Sequence, residues 1–393
     1  MSDNPRKPHL VIASGGTGGH FYPTLAVAQA FRELGGVVTL LVSGIHSPEQ
    51  KQIAQDYKFA AVELPFVRLP SSLGELLSFP WRLWHCRRRA KQVISSLHCD
   101  VLLGMGSFAA YPACLAGLSL KIPLVLHEGN AHMGRVNRLL TGRAKSVGLS
   151  LPLRDERQLH GCRSELVGMP LREALVKAAI DGDPDGTTRR EYLGQLGLSP
   201  DKQTVLVFGG SQGALIINRL LKDTAASLAE FRDRIQFIHL TGHEDNEELI
   251  TAYKNAGLQA SVRQAEPHIE KCYLSSDLVV CRGGASSICE LALFGLPSIL
   301  IPLPTAAEGH QLVNAQMLAE KNCAVALVQE EASIQVLNGM FKDWQANPAK
   351  WQAYGDNLKQ YARPQAAMDM ARMIVGVLPQ DWQDALSPKN GGK

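Results

Sequence analysis

The stretch His9-Leu-Val-Ile-Ala-Ser-Gly-Gly-Thr-Gly-Gly-His-Phe-Tyr-Pro-Thr-Leu-Ala-Val-Ala-Gln-Ala-Phe-Arg-Glu-Leu-Gly-Gly36 decides the fold. His9 to Ala13 is a continuous apolar run, the pattern of a strand covered on both faces. Gly15 to Gly19 follow as a turn. A helix is then predicted from about Pro23 to Leu34, because Val27, Phe31 and Leu34 fall at i, i+4 and i+7 and build one buried face. Gly35-Gly36 stops it. Val37 to Val42 is the next strand, and Ser47-Pro48 with Gln50 has the spacing of an N-cap, a first-position proline and a reciprocal partner opening another helix.

Working outward, the alternation continues through strands near Val101 to Leu103, Leu124 to Leu126, Val147 to Leu149 and Leu166 to Val167, then a helix beginning near Leu171. Alternation of this kind calls for a parallel sheet with helices on both faces. Asp181-Gly-Asp-Pro-Asp-Gly186 then has the composition of a linker. Beyond it the pattern restarts, with strands at Thr204 to Phe208, Ile235 to Leu240, Leu278 to Cys281, Ser298 to Ile301 and Ala324 to Val328. From about Ser333 to Asp381 the chain reads as helical, and Ser387 to Lys393 as a polar end. The expected organisation is α/β, with a first Rossmann-like parallel-sheet domain over 1–180, a linker at 181–186, a second such domain over 187–365, and a C-terminal helix and polar tail over 366–393. Two open sheets joined by a hinge are expected to face each other across a cleft, with ligands at the carboxyl ends of the strands.

Size agrees with two domains, since 393 residues exceeds the roughly 100 to 200 that one domain usually holds. A net charge of +3 with 20% charged residues gives no reason to expect a nucleic-acid partner. The eight cysteines contain no Cys-x-x-Cys pair and most lie in apolar stretches, which reads as reduced thiols in a cytosolic protein. Met1 to Pro8 is polar and the apolar run after it is too short for a secretory signal. Val101 to Leu120 carries no charge over about the roughly 20 residues that span a bilayer, but Gly104, Gly106, Pro112 and Gly117 break it into a strand, a turn and a packed helix.

The chemistry sits in four small-residue loops that follow strands: Ser14-Gly-Gly-Thr-Gly-Gly-His20, Gly104-Met-Gly-Ser107, Gly209-Gly-Ser-Gln-Gly213 and Arg282-Gly-Gly-Ala-Ser-Ser287. Such turns let an anion approach the N–H groups of a helix start, where the macrodipole adds roughly half a positive charge. The first is no dinucleotide fingerprint, because Phe21 stands where the third glycine belongs, and no Gly-Lys-Ser/Thr makes it a Walker loop. His20 lies in the first turn of its helix, where the dipole keeps an imidazole neutral, as a general base requires; a plain capping or packing role is the alternative. Glu290 lies four residues after Ser286 on one helical face, where a carboxylate can accept both hydroxyls of a ribose, or simply complement the helix dipole.

Five motifs in this order, Gly15-Gly-Thr-Gly-Gly-His20, His127-Glu-Gly-Asn130, Gly168-Met-Pro-Leu-Arg172, Gly209-Gly-Ser-Gln-Gly213 and Cys281-Arg-Gly-Gly-Ala-Ser-Ser-Ile-Cys-Glu290, resemble glycosyltransferase family 28. The members in question are the UDP-N-acetylglucosamine transferases that convert lipid I to lipid II in peptidoglycan synthesis. The resemblance runs from residue 9 to about 330 and implies the GT-B fold. It implies that Thr17, Gly18 and Gly19 face the donor sugar and acceptor phosphate, that Asn130 touches the N-acetylglucosamine, and that Arg172 and Ser211 serve the UDP. Ala285, Ser286, Ser287, Ile288, Cys289 and Glu290 would bind UDP, with Glu290 on the ribose, and Gln311 would hold sugar hydroxyls. His20 is the first candidate base, with His127 and Glu128 as further candidates. The chain departs from the usual pattern at Gly129, Met169 and Gly283, and at the segment Ala265 to His268 expected to meet the uracil.

The resemblance also implies an undecaprenyl-diphosphate-linked muramyl-peptide acceptor, UDP-N-acetylglucosamine as donor, no cofactor, cell-wall synthesis proteins as partners, and a peripheral position on the cytoplasmic face of the cell membrane. The residues carry a matching signal, because Leu76, Leu77, Phe79, Trp81 and Trp84 run into Arg87, Arg88 and Arg89. If that stretch is helical, Leu77, Trp81 and Trp84 share one face beside clustered arginines, the composition of a contact with an anionic membrane surface; the alternative is a helix packed on the sheet with a solvated basic face. No metal site is expected: Asp181, Asp183 and Asp185 mimic a calcium loop, but Pro184 interrupts it and Tyr192 takes its twelfth position. The readings that compete with this transferase are another GT-B UDP-sugar transferase, a UDP-sugar epimerase, and a non-catalytic nucleotide-sugar binding protein.

Overall fold

The computed structural model describes residues 6–15, 18–68, 70, 72–210, 215–242 and 246–386. They form two compact units, one running to Arg172 and resuming at Gln365, the other Glu173–Pro364.

The first unit runs β1 (His9–Gly15), α1 (Gly18–Glu33), β2 (Val37–Ser43), α2 (Ser47–Asp56), β3 (Ala60–Glu63), α3 (Leu73–Ser96), β4 (Val101–Gly104), α4 (Tyr111–Ser119), β5 (Leu124–Glu128), α5 (Arg135–Leu140), β6 (Ser146–Leu149) and β7 (Ser164–Leu166). Its seven strands lie in the order β3-β2-β1-β4-β5-β6-β7, every pair parallel. The apolar run of β1 is explained by its two faces. Leu10 and Ile12 enter the layer that holds Val27 and Phe31 of α1, whereas Val11 and Ala13 enter the layer that holds Ala113 and Ala116 of α4. A strand buried on both faces has no position left for a polar side chain to reach water.

The second unit runs α6 (Glu173–Asp181), α7 (Thr187–Gln195), β8 (Gln203–Phe208), α8 (Leu215–Thr224), β9 (Ile235–Leu240), α9 (Glu247–Asn255), β10 (Gln259–Arg263), α10 (Ile269–Leu274), β11 (Leu278–Cys281), α11 (Ala285–Phe294), β12 (Ser298–Leu300), α12 (His310–Glu320), β13 (Val325–Ala326), α13 (Ile334–Ala346) and α14 (Pro348–Leu358). Its six strands lie in the order β10-β9-β8-β11-β12-β13, again parallel throughout. The chain then returns to the first unit as α15 (Ala366–Val375) and α16 (Gln380–Leu386). Met370, Ala371, Ile374 and Leu386 from these helices share one core with Leu10, Phe31 and Val125.

Several expectations are corrected. The unit boundary falls at Arg172 rather than at 181–186, because α6 packs on α10 and α11 of the second unit. The acidic stretch is a helix cap: Asp183 accepts the N–H groups of Thr188 (3.0 Å) and Arg189 (2.8 Å), and Asp185 that of Thr187 (3.0 Å), at the start of α7. The helix expected from Pro23 begins earlier, at Gly18, and carries Pro23 inside it. Ser47 is the first residue of α2 rather than its cap, which is His46. Two edge strands, β3 and β10, were not expected at all.

Candidate active site

In an open parallel sheet a ligand sits where the strand order reverses, at the carboxyl ends of the two strands that flank the reversal. In the first unit those strands are β1 and β4, and in the second they are β8 and β11. The four small-residue loops of the sequence follow those same four strands. Each unit therefore carries one such site, lipped by glycine on both sides.

The first-unit loops are glycine for steric reasons. A Cβ on Gly15 would lie 2.5 Å from the Ala109 Cβ, and one on Gly104 would lie 2.8 Å from the Cys114 sulfur. Gly106 adopts φ +86°, a left-handed conformation open chiefly to glycine. Past β1 the chain enters α1, where His20 stands half-buried in the first turn. The buried Thr24 hydroxyl donates to the His20 carbonyl (2.8 Å) and lies 2.9 Å from Ser14 Oγ, so the first turn is tied to the end of β1. Thr17 lies outside the described residues. Gly19 is exposed at the helix start.

His127 and Glu128, at the end of β5, are buried and committed. The His127 ring is bracketed by Ser150 Oγ (2.9 Å) and the main chain of Gly168. Burial, with a smaller contribution from neighbouring His20, pulls its pKa down to about 4 even though the Gly168 contact works the other way. Glu128 accepts from four donors: Asn130 N (3.0 Å) and Nδ2 (3.2 Å), Gly134 N (2.9 Å) and Asn137 Nδ2 (2.9 Å). Asn137 also donates to the His127 carbonyl at 2.9 Å. These bonds fix the 129–134 loop and aim Asn130, which sits half-buried. Arg172, at the last position of the motif that follows β7, places its guanidinium 5.3 Å from the centre of the Tyr22 ring on α1. The fourth motif's residue Ser211 lies outside the described residues.

At the end of β11, Arg282 is buried and spent on structure, donating to the carbonyls of Ile301 (3.1 Å) and Pro302 (3.3 Å) and to Gln329 Oε1 (3.0 Å). Burial lowers its pKa, and the three oxygens supply the compensation that a buried cation needs. A Cβ on Gly283 would lie 2.6 Å from the Gln311 carbonyl, and Asn314 Nδ2 donates to the Gly283 carbonyl at 3.0 Å. The start of α12 is thus drawn against the loop, and Gln311 accepts from Leu303 N at 3.0 Å beside it. Gly284 caps α11 with open space around it. Along α11 the six expected contact residues divide. Ser286, Ser287 and Glu290 are half-buried, whereas Ala285, Ile288 and Cys289 are buried beneath them and the Ile288 N–H is taken by the Gly284 carbonyl at 3.0 Å. Ile288 and Cys289 therefore support the face rather than form it.

Sequence reasoning missed Asn137, Ser150 and Tyr273. The last donates its hydroxyl to Glu290 Oε2 at 2.6 Å. Their neighbours in sequence give no sign of the contact, which needs the strand order. Arg282 could have been found, since an arginine directly after a fully buried strand must have partners waiting.

The segment with clustered aromatics is α3, and Ser72 caps it by accepting from Glu75 N at 3.3 Å. Leu77 is 85% exposed, Trp81 67%, Leu76 54% and Trp84 51%. Arg87, Arg88 and Arg89 are exposed beside them, and the Arg88 guanidinium lies 5.3 Å from the centre of the Trp84 ring. Phe79 turns the other way and stacks on Phe108 with ring centres 6.1 Å apart, so it is half-buried and stands apart from that face. Among the described residues no helix is long and apolar enough to cross a membrane.

Two Rossmann-like parallel sheets of this kind, each with a glycine-lipped switch point, have the architecture expected of the GT-B class. Residues 10–149 match the glycosyltransferase family 28 N-terminal domain and residues 204–370 the family 28 C-terminal domain. Two curated relatives are called UDP-N-acetylglucosamine–N-acetylmuramyl-(pentapeptide) pyrophosphoryl-undecaprenol N-acetylglucosamine transferase. The one from Bifidobacterium longum (strain DJO10A) is 32% identical over 95% of this chain and 98% of its own. The one from Magnetococcus marinus is 32% identical over 96% and 99%. Among solved structures, Acinetobacter baumannii MurG aligns with a TM-score of 0.74 at 25% identity, covering 95% of this chain and all of that one. The Neisseria meningitidis UDP-GlcNAc 2-epimerase aligns at 0.65 with 11% identity over 94% of this chain, which is likeness of fold alone. The chain belongs to glycosyltransferase family 28.

Proposed function

We propose that the chain transfers N-acetylglucosamine from UDP-N-acetylglucosamine to the C4 hydroxyl of the muramyl sugar of undecaprenyl-diphosphate-linked lipid I, giving lipid II. What supports this reading most is likeness to transferases of that name along the whole chain; three of the five motifs follow switch-point strands, the 127–130 motif ends β5 beside one of them, and the 168–172 motif follows the edge strand β7. The donor binds the second unit. Its diphosphate meets the start of α11, where free N–H groups and the helix dipole favour an anion, with Ser286 and Ser287 in the same turn. Glu290 accepts the ribose hydroxyls one turn further on. Arg172 and Gln311 serve the donor phosphate and sugar.

The acceptor binds the first unit, between the glycine loops of β1 and β4. His20 takes the proton of the C4 hydroxyl. That oxygen then bonds to the anomeric carbon from the face opposite UDP, and the carbon–phosphate-oxygen bond breaks with its electron pair leaving on UDP. A single displacement inverts the centre and needs one base. His127 and Glu128 are poor bases by this geometry, because their hydrogen-bonding capacity is committed to Ser150, Gly168, Asn130, Gly134 and Asn137. Their part is to hold Asn130 where it can touch the sugar.

The experiment is to incubate the protein with UDP-N-acetylglucosamine and a soluble lipid I analogue, in EDTA, and to analyse both sugars. Transfer to the acceptor supports the reading. Epimerised donor, or no turnover with donor bound, replaces it by one of the competing functions.

The exposed face of α3 docks the enzyme on the cytoplasmic side of an anionic membrane, where a polyprenyl-linked acceptor resides. Each arginine near such a surface contributes about 1 kcal/mol, screened by salt, whereas burial of indole is unscreened. Replacing Arg87, Arg88 and Arg89 by Gln should therefore weaken liposome binding most at low salt, and Trp81→Ala with Trp84→Ala at every salt concentration. Unchanged binding in both variants would assign the face to ordinary solvent exposure.

A further inference from the structure

The Tyr273 side chain is fully buried on α10, yet its hydroxyl reaches the half-buried face of α11 and donates to Glu290 Oε2 at 2.6 Å. Its ring is held from two sides. Phe208, the last residue of β8 before the third glycine loop, meets it edge-on with ring centres 6.2 Å apart, and Phe294, at the end of α11, lies tilted at 5.1 Å. Burial first, and the Glu290 charge second, push the phenol well above its ordinary range, so it stays a donor at any working pH. The adjacent Cys272 faces another way: Tyr192 Oη lies 3.2 Å from its sulfur and donates to Glu266 at 2.9 Å. Glu266 in turn accepts from His268 N at 3.0 Å. The short helix α10 thus ties the 265–268 segment, expected to meet the uracil, to the carboxylate expected to meet the ribose.

We propose that Tyr273 is a positioning residue for the donor nucleoside: its hydroxyl holds the Glu290 carboxylate in one rotamer for the vicinal diol of the ribose. This rests on the reading of Glu290 given above. A glutamate on a half-exposed helix face samples several rotamers, and ordering it on ligand binding costs affinity. A bond from a buried, immobile donor to a carboxylate meets that cost in advance. The consequence is discrimination for ribose over deoxyribose, set by a residue that touches neither.

The test compares wild type, Tyr273→Phe, Glu290→Gln and the double variant, with UDP-N-acetylglucosamine and its 2′-deoxyribose analogue as donors and a soluble lipid I analogue as acceptor. Phe keeps the ring and its aromatic contacts and removes only the donor. Tyr273→Phe should raise the donor KM about tenfold for the ribose substrate, the size of a charge-assisted hydrogen bond, and leave it within about twofold for the deoxy analogue. Turnover at saturation should change little, and the double variant should be no worse than Glu290→Gln. If Glu290→Gln loses the discrimination while Tyr273→Phe keeps it, the positioning role is overturned and the ribose reading stands. If Glu290→Gln also keeps it, the ribose reading falls and the proposal with it.

Discussion

The first unit carries a histidine at the end of β5 and another just past the end of β1, and the two differ in everything but their side chain. His127 is 4% exposed, bonded on its ring and on its carbonyl, and depressed to about 4. His20 is half-buried in the first turn of a helix that begins in glycine, with its main chain secured by Thr24. A histidine that completes a network cannot also accept a substrate proton without breaking it. On the function proposed above, position relative to the strand-order reversal, rather than residue type, decides which imidazole is offered to the substrate and which supports the loop.

The largest effect that could break this contrast is on turnover. His20→Asn should lower kcat about 10²- to 10⁴-fold, the usual contribution of a general base, while the melting temperature moves by no more than about 2 °C. A loss of that size in His127→Asn, with His20→Asn near wild type, would reverse the assignment. Next comes stability. Glu128→Ala removes the shared acceptor of four donors from Asn130, Gly134 and Asn137, and should cost about 3 kcal/mol in chemical denaturation, beyond any change in rate.

The same contrast can be sharpened by pH. The second unit has its own buried neutral histidine, His239 on β9, placed between Tyr253 Oη (2.9 Å) and Asn218 Oδ1 (3.0 Å) and depressed by burial to about 3. The unfolded chain takes up protons near the ordinary value of 6.5, which the folded chain refuses until about 4 at His127 and about 3 at His239. The stability these rings contribute is therefore complete above pH 6.5 and is lost as pH falls toward those lower values. At about 1.4 kcal/mol per unit, His127 accounts for about 3 kcal/mol over that window. The drop in unfolding free energy between about pH 7 and about pH 5 should shrink in His127→Asn. An unchanged slope would show that the ring is not held neutral. The smallest effect concerns Arg172. Tyr22→Leu removes the ring beneath its guanidinium and should raise the donor KM by about two- to fivefold, the scale of one exposed cation–π contact, with kcat unaffected.

Much of this was legible in the residues. The apolar runs of β1, β4, β5, β8 and β11 are continuous because both of their faces are covered, and a continuous run is hard to misread. β3 (Ala60-Ala-Val-Glu63) and β10 (Gln259-Ala-Ser-Val-Arg263) were invisible for the opposite reason. They sit at sheet edges with exposed ends and mixed polarity, so only their pairing with β2 and β9 makes them strands. The glycine loops stood out as a set, but that they flank two strand-order reversals needed the sheet order. Glu290 was legible from its spacing to Ser286, whereas Tyr273, seventeen residues before it, contacts it only because β11 places α10 and α11 side by side. The Asp181–Gly186 stretch had a linker's composition and a capping role, and composition alone does not distinguish the two.

The return of α15 and α16 sets a timetable for synthesis. The core containing Leu10, Phe31 and Val125 also contains Met370, Ile374 and Leu386. The ribosome must therefore make the whole of Glu173–Pro364, about 190 residues, after the last strand of the first sheet has emerged and before the helices that close its core exist. At about 5 to 20 residues per second this leaves apolar sheet surface uncovered for roughly 10 to 40 s. The second unit, continuous in the chain, can finish first, so the part made earliest is completed last.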